Sequence, residues 1–315
     1  FGPRIIKLPM SGTMVPITDC ADWRLSDAAF LAAFRLPTKG SGELARKHPM
    51  PREDRITFDE ATHTYKVDNQ IVPRSVTGFL HEYASEFDPK SAVTAMKNGR
   101  DWESKKAALA SIGVGAEEED ILQMWAHSGK VARARGHWLH WQAEQMCNGL
   151  EIEEPHSPEF KQALIAYQAL LDRGYSPYRA ECNLFHCGLV LAGQPDLLMT
   201  DQRGEIVVVD WKRSKSMKFE NAHGSLKYPL EHIPDSNFWL YSLQLNTYRL
   251  MLETEYGMPV SAMILAVCHP DIDGPRLIAC PRMDEEMRRI VDFEIANGRA
   301  HSAAMPGPYA PFRLL

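Results

Sequence analysis

Three successive valines, Val207-Val208-Val209, break off into Asp210-Trp211-Lys212-Arg213-Ser214. Consecutive β-branched residues favour an extended, buried strand, and a carboxylate at the end of such a strand is costly to bury without a partner or a metal. A side-chain period of two places Asp210 and Lys212 on one face and Trp211 on the other. An acid beside an ammonium at a strand end makes a usable site. The carboxylate can hold a divalent cation, and the lysine can steady an attacking water or a developing negative charge.

The stretch before it supplies a second acid. Leu191–Met199 is another apolar run, carrying Gly193, Gln194, Pro195 and Asp196, and Thr200–Gly204 between the two runs is turn-rich. A hairpin centred on Arg203 would set Asp196 opposite Asp210, with Cβ atoms about 5 Å apart. Like charges that close repel unless one is protonated or a cation lies between them. A solvated hairpin acid beside a strand-end salt bridge is the plain alternative.

A chain of 315 residues, 44% hydrophobic and 24% charged, has material for one elaborated domain or two. No stretch approaches the roughly 20 continuous apolar residues of a membrane span, so no membrane is expected as a partner. The net charge of -6 argues against a generally basic nucleic-acid coat but leaves room for a local basic groove. Six cysteines (Cys20, Cys147, Cys182, Cys187, Cys268 and Cys280) form no CxxC pair. Reduced thiols in an intracellular compartment are the expectation, with nucleus, cytoplasm and mitochondrion all open. The chain begins on Phe1 rather than Met, so its N-terminus is expected to have been processed or trimmed.

The pattern predicts an N-terminal extension over 1–54, an accessory region over 55–129, a core over 130–300 and an irregular tail over 301–315. Asp27–Arg35 is a helical candidate, and Arg46–Arg52 an exposed linker. Short strands are predicted at Arg55–Glu60 and His63–Pro73, with turns at Ala61-Thr62 and Asp68-Asn69. Ser75 or Thr77 is a candidate helix cap. Helical pieces follow at Pro89–Lys97, Asp101–Ala110 and Glu117–His127. In a clear helix over Lys130–Met146, Gly136, His140 and Glu144 share a face, and the glycine makes sense if another backbone or a ligand approaches closely there. Ser157–Arg173 is a helix ended by Gly174, and Tyr178–Phe185 a strand carrying Glu181. Lys212–Asp235 is a lysine-rich loop suited to a phosphate backbone. Asn237–Tyr256 is a helix in which Gln244 and Tyr248 share a face. Strands at Val260–Cys268 and Pro275–Cys280 and a helix at Met283–Gly298 complete an α/β core.

In order, the constellation is Gly136-x-x-x-His140-x-x-x-Glu144, Glu181, Gly193-x-x-Asp196, Asp210-x-Lys212 and Gln244-x-x-x-Tyr248. This resembles the PD-(D/E)XK nuclease superfamily, and within it the RecB-type exonuclease branch. The Val72–Thr77 stretch, with Ile121–Trp125, is similar to the N-terminal half of viral and mitochondrial-type members. The resemblance implies a restriction-endonuclease-like core, a central mixed β-sheet flanked by helices, with a mostly helical N-terminal extension. It implies His140, Asp196, Asp210 and the Trp211 carbonyl as metal ligands, Glu181 as a helper for metal or water, and Lys212 as the residue that orients water and stabilises charge. Gln244 and Tyr248 would contact DNA or brace the lysine, Arg135, Arg213 and Lys215 would meet nucleic acid, and Glu144 would stand at a helper position.

Mg2+ or Mn2+, one or two ions, is the implied cofactor, and the imidazole favours Mn2+. Some branch members hold an iron–sulfur cluster on four thiolates. Only Cys268 and Cys280 follow the Gln244–Tyr248 helix here, so no cluster is expected. The implied partner is DNA, single-stranded or with a free end, with a protein partner possible through the N-terminal region. A structure-specific endonuclease, a nuclease-fold protein that binds without cutting, and a hydrolase of small phosphoesters are the alternatives.

Overall fold

The structure, a computed structural model, describes residues 5–7, 31, 42–150, 152, 157–221 and 224–301. The helical candidate at Asp27–Arg35 (Leu31 apart), Cys20 and the tail beyond residue 301 lie outside the described residues. The chain forms two compact units. The first comprises Phe1–Gly12, Thr38–Ser85 and Leu139–Leu315, and the second Thr13–Pro37 and Glu86–Trp138.

In chain order the elements are β1 (Ile5–Lys7), α1 (Glu43–Lys47), β2 (Ile56–Asp59), β3 (Thr64–Val67), β4 (Gln70–Ile71), β5 (Arg74–Ser75) and α2 (Val76–His81). There follow α3 (Pro89–Lys97), α4 (Trp102–Ser111), α5 (Glu118–Cys147), α6 (Pro158–Leu171), β6 (Ser176–Ala180), β7 (Leu184–His186), β8 (Leu191–Gly193) and β9 (Leu197–Thr200). The chain continues with β10 (Ile206–Arg213), α7 (Asn237–Glu255), β11 (Val260–Cys268), β12 (Arg276–Ala279) and α8 (Asp284–Ala296).

The main sheet of the first unit runs β1-β12-β11-β10-β9-β6. Among the described strands of this sheet only β10 and β11 pair in parallel, and α7 connects them. Alternation along the strands builds two cores. Val207, Val209, Trp211, Ile264 and Ala266 pack against Leu139 and Ala143 of α5 and Ala163, Ala166 and Leu170 of α6. Val208, Met263, Leu265 and Val267 point the other way, to Phe238, Leu243 and Leu252 of α7 and Met287 and Ile290 of α8. A mixed sheet between helical layers is the expected fold class. Side chains set the helix starts: Ser157 Oγ accepts the Phe160 N–H at 3.2 Å and Ser75 Oγ the Gly78 N–H at 3.1 Å.

The described elements of the second unit are helices. Val93, Leu109 and Ile121 form its small core, with Trp102, Leu122 and Trp125 packed around them.

Four local expectations need correction. The helical pieces at Glu117–His127 and Lys130–Met146 are one helix of 30 residues, because Gly129 costs too little to stop it. At Gly136 no other backbone makes the close approach, since a Cβ built there finds nothing within 4 Å among the described residues, which leaves the ligand of the two alternatives. The runs Tyr178–Phe185 and Leu191–Met199 are not single strands. Each breaks and changes sheet: β6 and β9 belong to the main sheet, and β8 lies between β5 and β7 in a separate one. Arg46–Arg52 is an exposed linker only in part. It begins with the last two residues of α1, Met50 is buried, and Arg52 is buried in an ion pair with Glu255.

Candidate active site

The β9–β10 hairpin sets the site. Its ladder pairs Thr200 with Ile206, Met199 with Val207, Leu198 with Val208 and Leu197 with Val209. One step further along this register, Asp196 and Asp210 stand opposite each other, as the symmetric hairpin requires. Pairing ends there, so the acids mark the point where the strands part. Asp196 is fixed from two sides. Its Oδ2 accepts the Trp211 N–H at 2.6 Å, and its Oδ1 lies 3.2 Å from Nδ1 of His140 on α5.

Glu181 reaches the same place from the corner after β6. It holds a left-handed backbone with φ 48°, uncommon for a residue with a side chain. Its N–H donates to the Asp196 carbonyl at 3.0 Å, and its carbonyl accepts from Gln194 Nε2 at 2.6 Å. Those two bonds hold the corner at which the predicted strand breaks. As a result, one potential ligand atom each from His140, Glu181 and Asp196 falls within 4.8 Å of the others.

Asp210 stands outside that trio and faces Lys212, two residues on along the same side of β10. The lysine Nζ is 2.7 Å from Asp210 Oδ2. The approach is off-axis for a hydrogen bond, and both Asp210 oxygens are buried without one. Nζ donates instead to Gln244 Oε1 at 3.2 Å and sits 4.5 Å from the centroid of the Tyr241 ring. Burial pushes the Asp210 carboxyl above the usual carboxylate range, against the pull of Lys212. Burial would also pull Lys212 down, but the two aspartates hold the ammonium above its ordinary value. His140 follows the same logic, with burial opposing its charge and the Asp196 carboxylate prevailing.

Helix α7 backs the site. The Tyr248 hydroxyl donates to the Gln194 carbonyl at 3.1 Å, bracing the turn that delivers Asp196. Gly193 passes so close that an added Cβ would lie 2.9 Å from Tyr248 Cε1 and 2.7 Å from Val76 Cγ2. Trp211 turns its side chain into the opposite core, leaving its peptide beside Asp196. Arg213 is drawn inward, its Nε 2.8 Å from Glu159 Oε1. Lys215 is exposed and pairs with Asp271 at 2.9 Å. Arg135 is carried by α5 in the stretch that belongs to the second unit. Sequence reasoning passed over Tyr241 and Glu159. The spacing of Tyr241, three residues before Gln244 and so on the same helical face, was the available signal.

These groups suit a divalent cation. Buried Asp210 oxygens without hydrogen bonds, and a mixed carboxylate–imidazole trio beside them, form a donor set of the kind that binds Mg2+ or Mn2+. Among the described residues no helix is long and apolar enough to cross a membrane.

The description of the PD-(D/E)XK nuclease superfamily matches residues 79–304, a span that includes every residue of this site, and the chain belongs to that superfamily. It is therefore a nuclease by family, with nucleic acid as its substrate class. No curated protein matches the chain. Solved structures similar to it include that of SSO0001, at 14% identity and TM-score 0.25, covering 70% of this chain and 83% of that one. Another is a Eubacterium rectale protein named as a candidate exonuclease, at 12% identity and TM-score 0.27, covering 70% of this chain and 72% of that one.

Proposed function

We propose that the chain is a divalent-metal-dependent deoxyribonuclease of the RecB-type branch, acting as an exonuclease on single-stranded DNA or DNA ends. The observation that carries this reading is the convergence of five groups. Asp210 and Lys212 meet Asp196, His140 and Glu181 where β9 and β10 part. His140, Glu181, Asp196 and Asp210, with the Trp211 carbonyl, would hold one or two Mg2+ or Mn2+ ions. When bound, such an ion activates water and neutralises charge on the phosphoryl group.

The chain's own residues supply the rest. Lys212 presents N–H donors on the Asp210 face and can hold a phosphoryl oxygen or orient the attacking water. Gln244 limits the positions open to that ammonium. Tyr248 fixes the turn that aims Asp196. The exposed Lys215, Lys218 and Lys227 follow β10 in sequence and suit a phosphate backbone. The imidazole in the donor set supports Mn2+ activity at least equal to that with Mg2+.

The test is digestion of end-labelled linear single-stranded DNA and of its circular form in Mn2+, with Asp210→Ala as control. Cleavage of the linear strand alone, reduced at least about a hundredfold in the control, is expected of an end-dependent exonuclease. Cleavage of both forms moves the function to endonuclease, and cleavage of neither favours a binding protein.

A further inference from the structure

Lys212 is held from a third side by a residue outside the motifs that point to the site. Its Nζ has Asp210 Oδ2 at 2.7 Å, Gln244 Oε1 at 3.2 Å and the Tyr241 ring centroid at 4.5 Å. The lysine side chain is only 15% exposed, so water does little to screen the attraction between ammonium and ring. Tyr241 is itself half-buried against the core, which leaves its ring little freedom to turn away. It lies three residues before Gln244, so one stripe of α7 supplies both contacts.

We propose that Tyr241 is a positioning residue for Lys212, and that its ring face rather than its hydroxyl is the part that acts. The contact differs in kind from those of Asp210 and Gln244. An aromatic face attracts a cation but takes no hydrogen bond along a fixed lone pair. The ring therefore confines the ammonium to the Asp210 side without occupying an N–H that a phosphoryl oxygen would need. A lysine with four rotatable carbons is otherwise free to swing, and misplacement by about an ångström can cost two orders of magnitude in rate. The effect on turnover rests on the nuclease reading, whereas the contact itself does not.

The test compares the wild-type chain with Tyr241→Phe and Tyr241→Leu in two ways. First, the ε-methylene resonance of Lys212 is followed in 13C-lysine-labelled protein, assigned by its disappearance in Lys212→Arg. It is expected upfield under the ring current in wild type and in Tyr241→Phe, and at the ordinary lysine position in Tyr241→Leu. Second, kcat on a single-stranded oligonucleotide is expected to fall about ten- to thirtyfold in Tyr241→Leu, with KM within about threefold, while Tyr241→Phe stays within about twofold of wild type. Should leucine lower the melting temperature, Tyr241→Met serves as the second aliphatic variant.

An unmoved resonance in the aliphatic variants overturns the proposal. So does equal loss in the phenylalanine and leucine variants, which would assign the role to the hydroxyl. A rise in KM alone would place the ring on the substrate and also overturn it. If even wild type cuts no DNA, the nuclease reading fails, and the resonance still decides the contact.

Discussion

At the scale of single residues, Gly193 shows how tightly the site is fitted. A methyl group there would press on both Val76 and Tyr248, the tyrosine whose hydroxyl braces the turn before Asp196. Gly193→Ala is expected to destabilise the fold by about 1–3 kcal/mol, read from urea unfolding, and to lower activity by moving Tyr248. Unchanged stability and activity would show that Val76 and Tyr248 yield without cost. The spacing Gly193-x-x-Asp196 was legible in the sequence, but the reason for the glycine was not, since Val76 and Tyr248 lie far from it in the chain. Gly136 is the converse case. Its motif position was equally visible, yet the space around it is open. Identity and spacing carry a motif, and packing by distant residues decides what each member does.

At the scale of elements, the β9–β10 hairpin was legible because its evidence is local. Alternation, a turn-rich centre and equal arms define one register, and the ladder follows it. The breaks at Glu181 and at Gln194–Asp196 were not legible, because the bonds that turn the chain there join separate segments.

The β7–β8 turn makes a prediction of its own. His186 Nδ1 accepts the Leu189 N–H at 3.0 Å inside the core. Burial first, and then the Arg52 charge, push its pKa down from 6.5 to about 4. The folded chain therefore keeps this ring neutral where the unfolded chain takes up a proton. The stability this confers is complete above pH 6.5 and is lost as pH falls from there toward 4, by up to about 3 kcal/mol. Glu255, 3.5 Å away, has its carboxyl raised by burial and acts in the opposite direction, so a variant must isolate the histidine. His186→Gln is expected to lose less stability than wild type between pH 7.5 and pH 5 in urea unfolding. Equal acid slopes in the two proteins would assign the loss to other groups.

At the scale of the whole molecule, one long reach within the first unit is the buried pair of Arg52 and Glu255, 203 residues apart in sequence. Arg52 lies 3.9 Å over the Phe185 ring and donates to the Glu255 carboxylate, binding the segment before β2 to β7 and to the end of α7. No local pattern announces such a partner, which is why Arg46–Arg52 read as an exposed basic linker. Breaking a buried pair leaves a charge without compensation. Arg52→Met is expected to cost about 3–5 kcal/mol in chemical unfolding, and Arg52→Met with Glu255→Gln to recover part of that loss. A cost below about 1 kcal/mol for the single variant would mean that water reaches Glu255.

Helix α5 belongs to both units: its residues through Trp138 count with the second and those from Leu139 with the first. The second unit is thus no exchangeable cassette. A deletion at its downstream edge would cut the helix one residue ahead of His140, so removing or swapping that unit is expected to disturb the candidate site as well.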